Sequence, residues 1–135
     1  MNRWQLLILI LAMSIGSAFA EEGDDEEEEA VQKVCVNKRS INSFDAIDDE
    51  HVFIKAGVND YYLFTMQRRC FGMRNAMGIG IKDTMSRVCS DGFGEIVYRD
   101  MGRIESCRID TIESVPSKED AEGLVKDRKE MKADD

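Results

Sequence analysis

Alternation of apolar and polar residues recurs in several short segments of the chain, and a period of two residues predicts β-strands. The strongest pair is 51–56 and 61–66, both rich in β-branched and aromatic residues. The sequence Gly57-Val58-Asn59-Asp60 between them has turn chemistry. We therefore predict a β-hairpin here, preceded by a weaker strand at 33–37.

The two flanking stretches are less regular. Residues 38–50 are mostly polar and carry no strand prediction. Gly72, Gly78 and Gly80 argue against a long helix in 67–90, because glycine costs about 1 kcal/mol relative to alanine inside a helix. We predict a loop excursion with one short strand at 79–82 and a short turn of helix near 84–88.

Strand patterns return in 95–100 and, after a Met101-Gly102-Arg103 turn, in 104–115. In the second segment the alternation of apolar and polar residues shifts by one position between Ile109 and Ile112, which predicts a β-bulge near Asp110. Pro116 ends that strand, and Ser117 followed by Asp120 is typical of a helix N-cap. The following helix has a thin apolar stripe, and we expect it to fray toward Asp135.

Four cysteines lie after the first strand pattern begins: Cys35, Cys70, Cys89 and Cys107. An even number in a small exported protein predicts a disulfide framework, here of two bridges. The intervening lengths of 34, 18 and 17 residues contain no Cys-x-x-Cys, which argues against a thioredoxin-like or paired-cysteine zinc site. Two pairings stay open: Cys35–Cys107 with Cys70–Cys89, which we favour, and the sequential Cys35–Cys70 with Cys89–Cys107.

The N-terminal part of the sequence indicates export. Arg3 precedes an apolar run, and Ala18-Phe19-Ala20 is typical of a signal-peptide cleavage site. Residues 21–29 contain eight acidic side chains, whereas residues 30–135 hold 17 basic against 19 acidic ones. A run of like charges favours a disordered, solvated segment. We predict a signal peptide at 1–20, an acidic arm at 21–32, a disulfide-stapled β domain at 33–116 and a charged helical tail at 117–135, in a periplasmic or secreted protein cleaved after Ala20.

The cysteines and their neighbours resemble a family of small exported proteobacterial proteins known only as a domain of unknown function. The resemblance covers about 34–116. It is carried by Cys35 with Ile41, by Tyr61-Tyr62-Leu63, by Arg69-Cys70-Phe71-Gly72-Met73, by Arg87-Val88-Cys89-Ser90-Asp91, and by Cys107-Arg108-Ile109 running on to Val115-Pro116. Members of the family often have a proline where this chain has Phe71. The resemblance implies an exported, disulfide-bonded, β-rich domain, and it implies no activity.

The chain has few residues suited to catalysis. His51 is the single histidine and stands beside Asp48, Asp49 and Glu50, where the simplest interpretation is a partly exposed polar residue. A weak hydrolase would have to use His51, Asp91 or nearby carboxylates. Oxidised cysteines leave no thiolate nucleophile. We therefore expect a protein that is not an enzyme and needs no cofactor.

Metal handling is a second alternative. Met66, Cys70, Met73 and Met77 recur at helix-like spacing, and thioether ligands favour reduced copper. Methionine more often fills irregular cores, and Cys70 is expected in a disulfide. The acidic arm lacks the ligand spacing and glycine turn of a calcium loop. We assign no metal ligands.

Side chains suited to an interaction surface are Tyr61, Tyr62, Arg68, Arg69 and Arg74. The aromatic residues of the hairpin should be divided between its two faces, one facing the core and the other forming an exposed aromatic strip. The arginines between Met66 and Arg108, if they share a face, could bind an anionic partner or the chain's own acidic arm. Nucleic acid is excluded as a partner by export and by a pI near 4.7.

Together these patterns predict a mainly β fold: a small antiparallel sheet or partly open barrel with two disulfides and a short charged C-terminal helix. The function that fits best is a non-catalytic binding or structural module of the cell envelope, with an unknown protein or envelope component as its partner. No transmembrane segment is expected once the signal peptide is removed.

Overall fold

The computed structural model describes residues 33–90 and 93–134. Within them the chain forms eight strands, one α-helix and two short 3₁₀ helices, Lys38–Ser40 and Met73–Asn75. The strands are β1 (Cys35–Asn37), β2 (Ile41–Ala46), β3 (His51–Ala56), β4 (Asp60–Met66), β5 (Ile79–Lys82), β6 (Arg87–Cys89), β7 (Glu95–Asp100) and β8 (Arg103–Ser114), and the helix is α1 (Lys118–Ala133). The predicted signal peptide and acidic arm lie outside the described residues.

Six strands form one antiparallel sheet in the order β2-β3-β4-β8-β7-β5. The sheet curls into a half-barrel, and β1 pairs with β6 in a separate two-stranded sheet. The prediction of a mainly β fold with two disulfides and a C-terminal helix is confirmed.

The two strongest strand pairs of the sequence are hairpins in the structure. β3 and β4 pair from His51 opposite Thr65 to Ala56 opposite Asp60. β7 and β8 pair through a tight turn in which Met101 and Gly102 have φ values of 46° and 83°. The predicted strand at 79–82 is also present, as β5 at the edge of the large sheet.

The predicted bulge lies in β8. Thr65 pairs with Thr111, but the next residue of β4, Met66, pairs with Ile109, so Asp110 is the extra residue. On a regular strand Ile109 and Ile112 would point to opposite faces. The bulge resets the alternation, and both isoleucines are buried in the same core cluster.

Each face of the sheet carries an apolar cluster. Its inner face holds the main core, which includes Ile54, Phe64, Ile96 and Ile109. A second cluster on the outer face of β3, β4 and β8 contains Phe53, Leu63 and Val115 together with Ala121 and Val125 of α1. The outer face of the β3–β4 hairpin is therefore covered by the helix, and the expected exposed aromatic strip is absent from the described part of the chain.

The start of α1 follows the prediction. The Ser117 hydroxyl accepts a hydrogen bond from the backbone N–H of Asp120 at 3.1 Å and donates one to the Asp120 carboxylate at 2.6 Å. The helix contacts the sheet through small apolar residues on its first two turns, and it continues to Ala133. Its later turns are held by ion pairs to the sheet and its β2–β3 turn, at the cleft described below.

Two predictions of local structure are wrong. The polar stretch after β1 contains β2, an edge strand whose outward residues are solvated and whose apolar residues are only half-buried. The segment 84–88, predicted as a turn of helix, overlaps β6, whose Val88 is buried opposite Val36 of β1. In both strands long-range pairing outweighs a weak local pattern.

The structure also corrects the disulfide pairing. Cys35 is bonded to Cys89 and Cys70 to Cys107, so neither of the two pairings left open by the sequence is right. Cys35 and Cys89 are direct partners in the β1·β6 ladder. The sequence pattern predicts helix at 84–88. Without the β1·β6 ladder, Cys89 has no strand partner to which a disulfide could be assigned.

No helix in the described ranges combines the length and the apolar character that crossing a membrane requires.

Candidate functional site

A cleft of about 920 Å³ lies between the second half of α1, the outer face of the large sheet and the β2–β3 turn. Its lining is rich in charged and hydroxyl-bearing residues. These are Asp48, Asp49, Glu50, His51, Thr65, Arg69, Arg74, Ser90, Thr111, Ile112, Glu113, Arg128, Lys129, Met131 and Lys132.

A row of three polar side chains forms the floor of this cleft. His51 of β3 pairs with Thr65 of β4, and Thr65 pairs with Thr111 of β8. Residues directly opposite in neighbouring antiparallel strands share a face of the sheet. The adjacent row on the same face, Phe53 with Leu63, lies in the apolar cluster under α1. The outer face thus changes from apolar to polar at this row.

His51 is buried, with 6% of its surface exposed. The expectation of a partly exposed residue is therefore wrong, because α1 and the β2–β3 turn cover the start of β3. Its Nδ1 lies 2.8 Å from Oδ1 and 3.0 Å from Oδ2 of Asp48. An ionised carboxylate only accepts hydrogen bonds, so Nδ1 carries the proton and a neutral imidazole presents the lone pair of Nε2.

The β2–β3 turn places Asp48 under the ring. Its Oδ1 accepts hydrogen bonds from the backbone N–H groups of Glu50 and His51 at 2.7 and 2.8 Å. The same turn is fastened to the rest of the sheet, since the carbonyl of Glu50 accepts from the N–H of Met66 and that of Asp49 from the N–H of Cys70. These backbone hydrogen bonds fix the turn that carries the Asp48–His51 pair.

The charge of Asp48 is stabilised strongly. Burial acts to raise its pKa, but hydrogen bonds from Lys129, from the backbone N–H of Glu50 and from His51 outweigh burial and lower the pKa from 3.8 to about 2. Lys129 reaches the carboxylate from α1, with Nζ 2.7 Å from Oδ2. Asp48 thus joins the helix to the histidine.

A second ion pair attaches α1 to the sheet. Both terminal nitrogens of Arg128 donate to the carboxylate of Glu113 on β8, each at 2.7 Å. This bidentate bond holds the pKa of Glu113 below its usual value. The pairs Arg128–Glu113 and Lys129–Asp48 keep the second half of the helix above the polar row and so define one wall of the cleft.

Two polar atoms at the floor have no partner in the described part of the chain. The hydroxyl oxygen Oγ1 of Thr65 is buried and makes no hydrogen bond. The hydrogen bonds of the His51 side chain all go through Nδ1, which leaves Nε2 without one among the described residues. Buried polar atoms in native proteins are almost always hydrogen-bonded, so Oγ1 of Thr65 marks a place where a molecule from outside would bind, with His51 opposite it on the same face of the sheet.

A family model for a "Family of unknown function (DUF6491)" matches residues 1–133. The chain belongs to this family. The resemblance to a family of unknown function is therefore confirmed, whereas the proteobacterial origin stays a prediction. No curated protein and no solved structure matches the chain.

The structure divides the residues suggested as an interaction surface. Arg69 and Arg74 line the cleft. Arg68 instead donates to the carbonyl of Ser106 on β8. Tyr61 stacks on Phe53, with ring centroids 5.7 Å apart, beside the outer apolar cluster, while Tyr62 packs against the inner core.

The sulfur ligands considered for copper are not brought together. Cys70 is in a disulfide, Met66 and Met73 are buried in the main core, and Met77 is fully exposed. In the described ranges, no group of three or more His, Cys, Asp or Glu side chains could hold a metal ion. Asp91, suggested for a hydrolase, and the acidic arm, suggested as a ligand of the arginines, lie outside the described residues.

Most of this site has no local signature in the sequence. The carboxylates next to His51 are adjacent to it in the chain, whereas Thr65 and Thr111 join it only through strand register. The predicted β3–β4 hairpin contained part of that signal, because a turn at 57–60 places residue 51 close to residue 65. The contribution of α1, with Arg128 and Lys129, depends on how the helix docks and has no local signature.

Proposed function

We propose that this protein is an exported, non-enzymatic binding module of the cell envelope, and that it binds its ligand in the cleft beside His51. The observation that carries the proposal is the buried hydroxyl Oγ1 of Thr65 at the cleft floor, which has no hydrogen-bond partner among the described residues and lies opposite His51 on the sheet. An unsatisfied buried polar group costs about 1–3 kcal/mol. A ligand that hydrogen-bonds this hydroxyl would recover that cost.

Export is supported by the two disulfides, by the signal-like pattern of residues 1–20 and by the family resemblance. Fractionation of cells that express the full chain, followed by N-terminal sequencing, tests it. We expect a periplasmic or secreted protein that begins at Glu21 and reacts with no thiol reagent before reduction. A cytoplasmic protein with an intact N-terminus would refute export.

A weak hydrolase is the second candidate, and the Asp48–His51 pair is the observation that favours it. A carboxylate that accepts from Nδ1 orients the ring and fixes the tautomer whose Nε2 can take up a proton, as a general base requires. The described structure offers no activated nucleophile, since the hydroxyls of Thr65, Thr111 and Ser90 line the cleft without a hydrogen bond to Nε2. This favours binding over catalysis.

A panel of ester, phosphoester, amide and glycoside substrates separates the two. We expect no turnover above that of the His51→Ala variant. Activity that is present in the wild-type protein and lost in His51→Ala would establish the hydrolase in place of the binding module.

Native mass spectrometry of the protein isolated gently from its own compartment tests binding. We expect a reproducible adduct on the wild-type protein that is lost or strongly reduced in Thr65→Val, which removes one floor hydroxyl. Arg99→Gln, on the exposed side of β7, is the control and should keep the adduct. Equal adducts in all three proteins, or none in any, would contradict the proposal.

A further inference from the structure

The charges that line the cleft are unequally paired. Three of its carboxylates already hold a cation: Asp48 holds Lys129, Asp49 holds Arg69 at 3.2 Å, and Glu113 holds Arg128. Two further cations, Arg74 and Lys132, line the cleft and make no ion pair within the described ranges. The one lining carboxylate without a cation there is Glu50. The unpaired charge is therefore more positive than negative before the histidine is counted.

The histidine can add to that positive charge at the floor of the cleft. Asp48, held ionised by its surroundings, accepts a hydrogen bond from Nδ1. A protonated ring then donates Nε2–H toward the cleft, and the Thr65 hydroxyl can donate beside it. Two donors at the floor, together with two unpaired cations elsewhere in the lining, match the oxygen atoms of an anion.

We propose that the ligand of this cleft carries an oxyanion group, a carboxylate or a phosphate, which binds to Nε2 of a protonated His51 and to Oγ1 of Thr65, with Arg74 and Lys132 supplying charge in the surrounding lining. The inference rests on the binding function proposed above and specifies its ligand class. Carboxylate and phosphate share the chemistry recognised here, so the probes below represent each.

The proposal entails a dependence on pH. Histidine is the side-chain type whose charge ordinarily changes between about pH 5 and 8. The other charged groups that face this part of the cleft are Asp48, Asp49 and Glu50 of the β2–β3 turn, Glu113 of β8, Arg69 and Arg74 of the 67–78 loop, and Arg128, Lys129 and Lys132 of α1. An anion that needs the imidazolium must bind more tightly at the lower pH, because the ring is then charged before the anion arrives.

The single histidine of the chain makes a direct test simple, because its ring signals in an NMR spectrum need no assignment. Sodium acetate and sodium sulfate serve as the carboxylate and phosphate-like probes, since each keeps a constant charge between pH 6 and 8. Sodium chloride at the same ionic strength is the control. We expect at least one probe to move the ring signals saturably, with an affinity at least fivefold higher at pH 6 than at pH 8.

Variants test whether the probe binds at the proposed residues. Thr65→Val and Arg74→Gln should each weaken the binding of that probe at least threefold at pH 6, and Arg99→Gln should leave it unchanged. Because neither variant alters the Asp48–His51 pair, the test does not depend on a fold that survives loss of the histidine. His51→Gln, where it folds, should remove the pH dependence.

Shifts with acetate and sulfate no larger than with chloride would overturn the anion inference, as would equal affinities at pH 6 and pH 8. If natively isolated protein still carries an adduct that Thr65→Val removes, the binding function stands and the ligand is not an anion. If there is neither an adduct nor a probe shift, both proposals fail.

Discussion

Replacing Asp48 by asparagine should destabilise the protein through the loss of one charge. Asparagine keeps an oxygen that can accept from the N–H groups of Glu50 and His51, so the β2–β3 turn survives. The neutral amide of asparagine cannot form an ion pair with Lys129. The lowering of the Asp48 pKa from 3.8 to about 2 is equivalent to about 2.4 kcal/mol at about 1.36 kcal/mol per pH unit. Contact of the carboxylate with solvent reduces this to about 1–2 kcal/mol.

The sign of the pH effect follows from the direction of the pKa change. A carboxylate whose pKa is lowered by folding stabilises the folded state fully when the pH is above the pKa of the unfolded chain. This stabilisation is lost as the pH falls through the lower pKa of the folded state. Urea unfolding with intact disulfides should therefore show Asp48→Asn about 1–2 kcal/mol less stable than wild type at pH 7, with the difference declining below about pH 4 and nearly gone by about pH 1.5.

Asp45→Asn is the matched control. Asp45 also binds a lysine of α1, Lys118, but both side chains are about half exposed. Because solvent screens an exposed pair, Asp45→Asn should leave the free energy of unfolding unchanged within measurement error. An Asp48→Asn protein as stable as wild type at pH 7, or a difference that persists unchanged at pH 1.5, would refute the reasoning.

Other substitutions test the fold. Gly72→Ala should cost at least about 1 kcal/mol, because Gly72 has φ of +81° and an added Cβ would lie 2.3 Å from Cγ of Asp100; a neutral effect in thermal unfolding would contradict this. Gly123→Ala, inside α1 with open space around the new methyl, should instead stabilise by about 0.5–1 kcal/mol. Replacing Cys35 and Cys89 together by serine should cost about 2–5 kcal/mol, and peptide mapping of the wild-type protein without reduction should recover these two cysteines in one linked pair.

The local elements that could be predicted from the sequence were those with strong patterns. The β3–β4 hairpin has two β-rich segments around a turn, the bulge at Asp110 follows from the spacing of Ile109 and Ile112, and Ser117 marks the start of α1. Each of these is specified within one short continuous segment of the chain. The predictions agree with the structure there because tertiary contacts act in the same direction as the local pattern.

The predictions that needed long-range pairing were wrong or missing. β6 is short, and its strand character comes from pairing with β1, more than fifty residues earlier in the chain. The disulfide connectivity depends on that same pairing. For the same reason the prediction of a partly exposed His51 is wrong: α1, at the far end of the sequence, docks beside it through the pairs Lys129–Asp48 and Arg128–Glu113.

The stability of Thr65→Val tests the central claim most directly, since the proposed site rests on a buried hydroxyl that the protein itself leaves without a partner. Valine replaces the hydroxyl by a methyl group of similar size. In ligand-free protein at pH 7 we predict a free energy of unfolding equal to that of wild type or up to about 1 kcal/mol higher. A loss of more than about 1 kcal/mol would show that the hydroxyl has a partner within the fold, and would contradict a site kept open for a ligand.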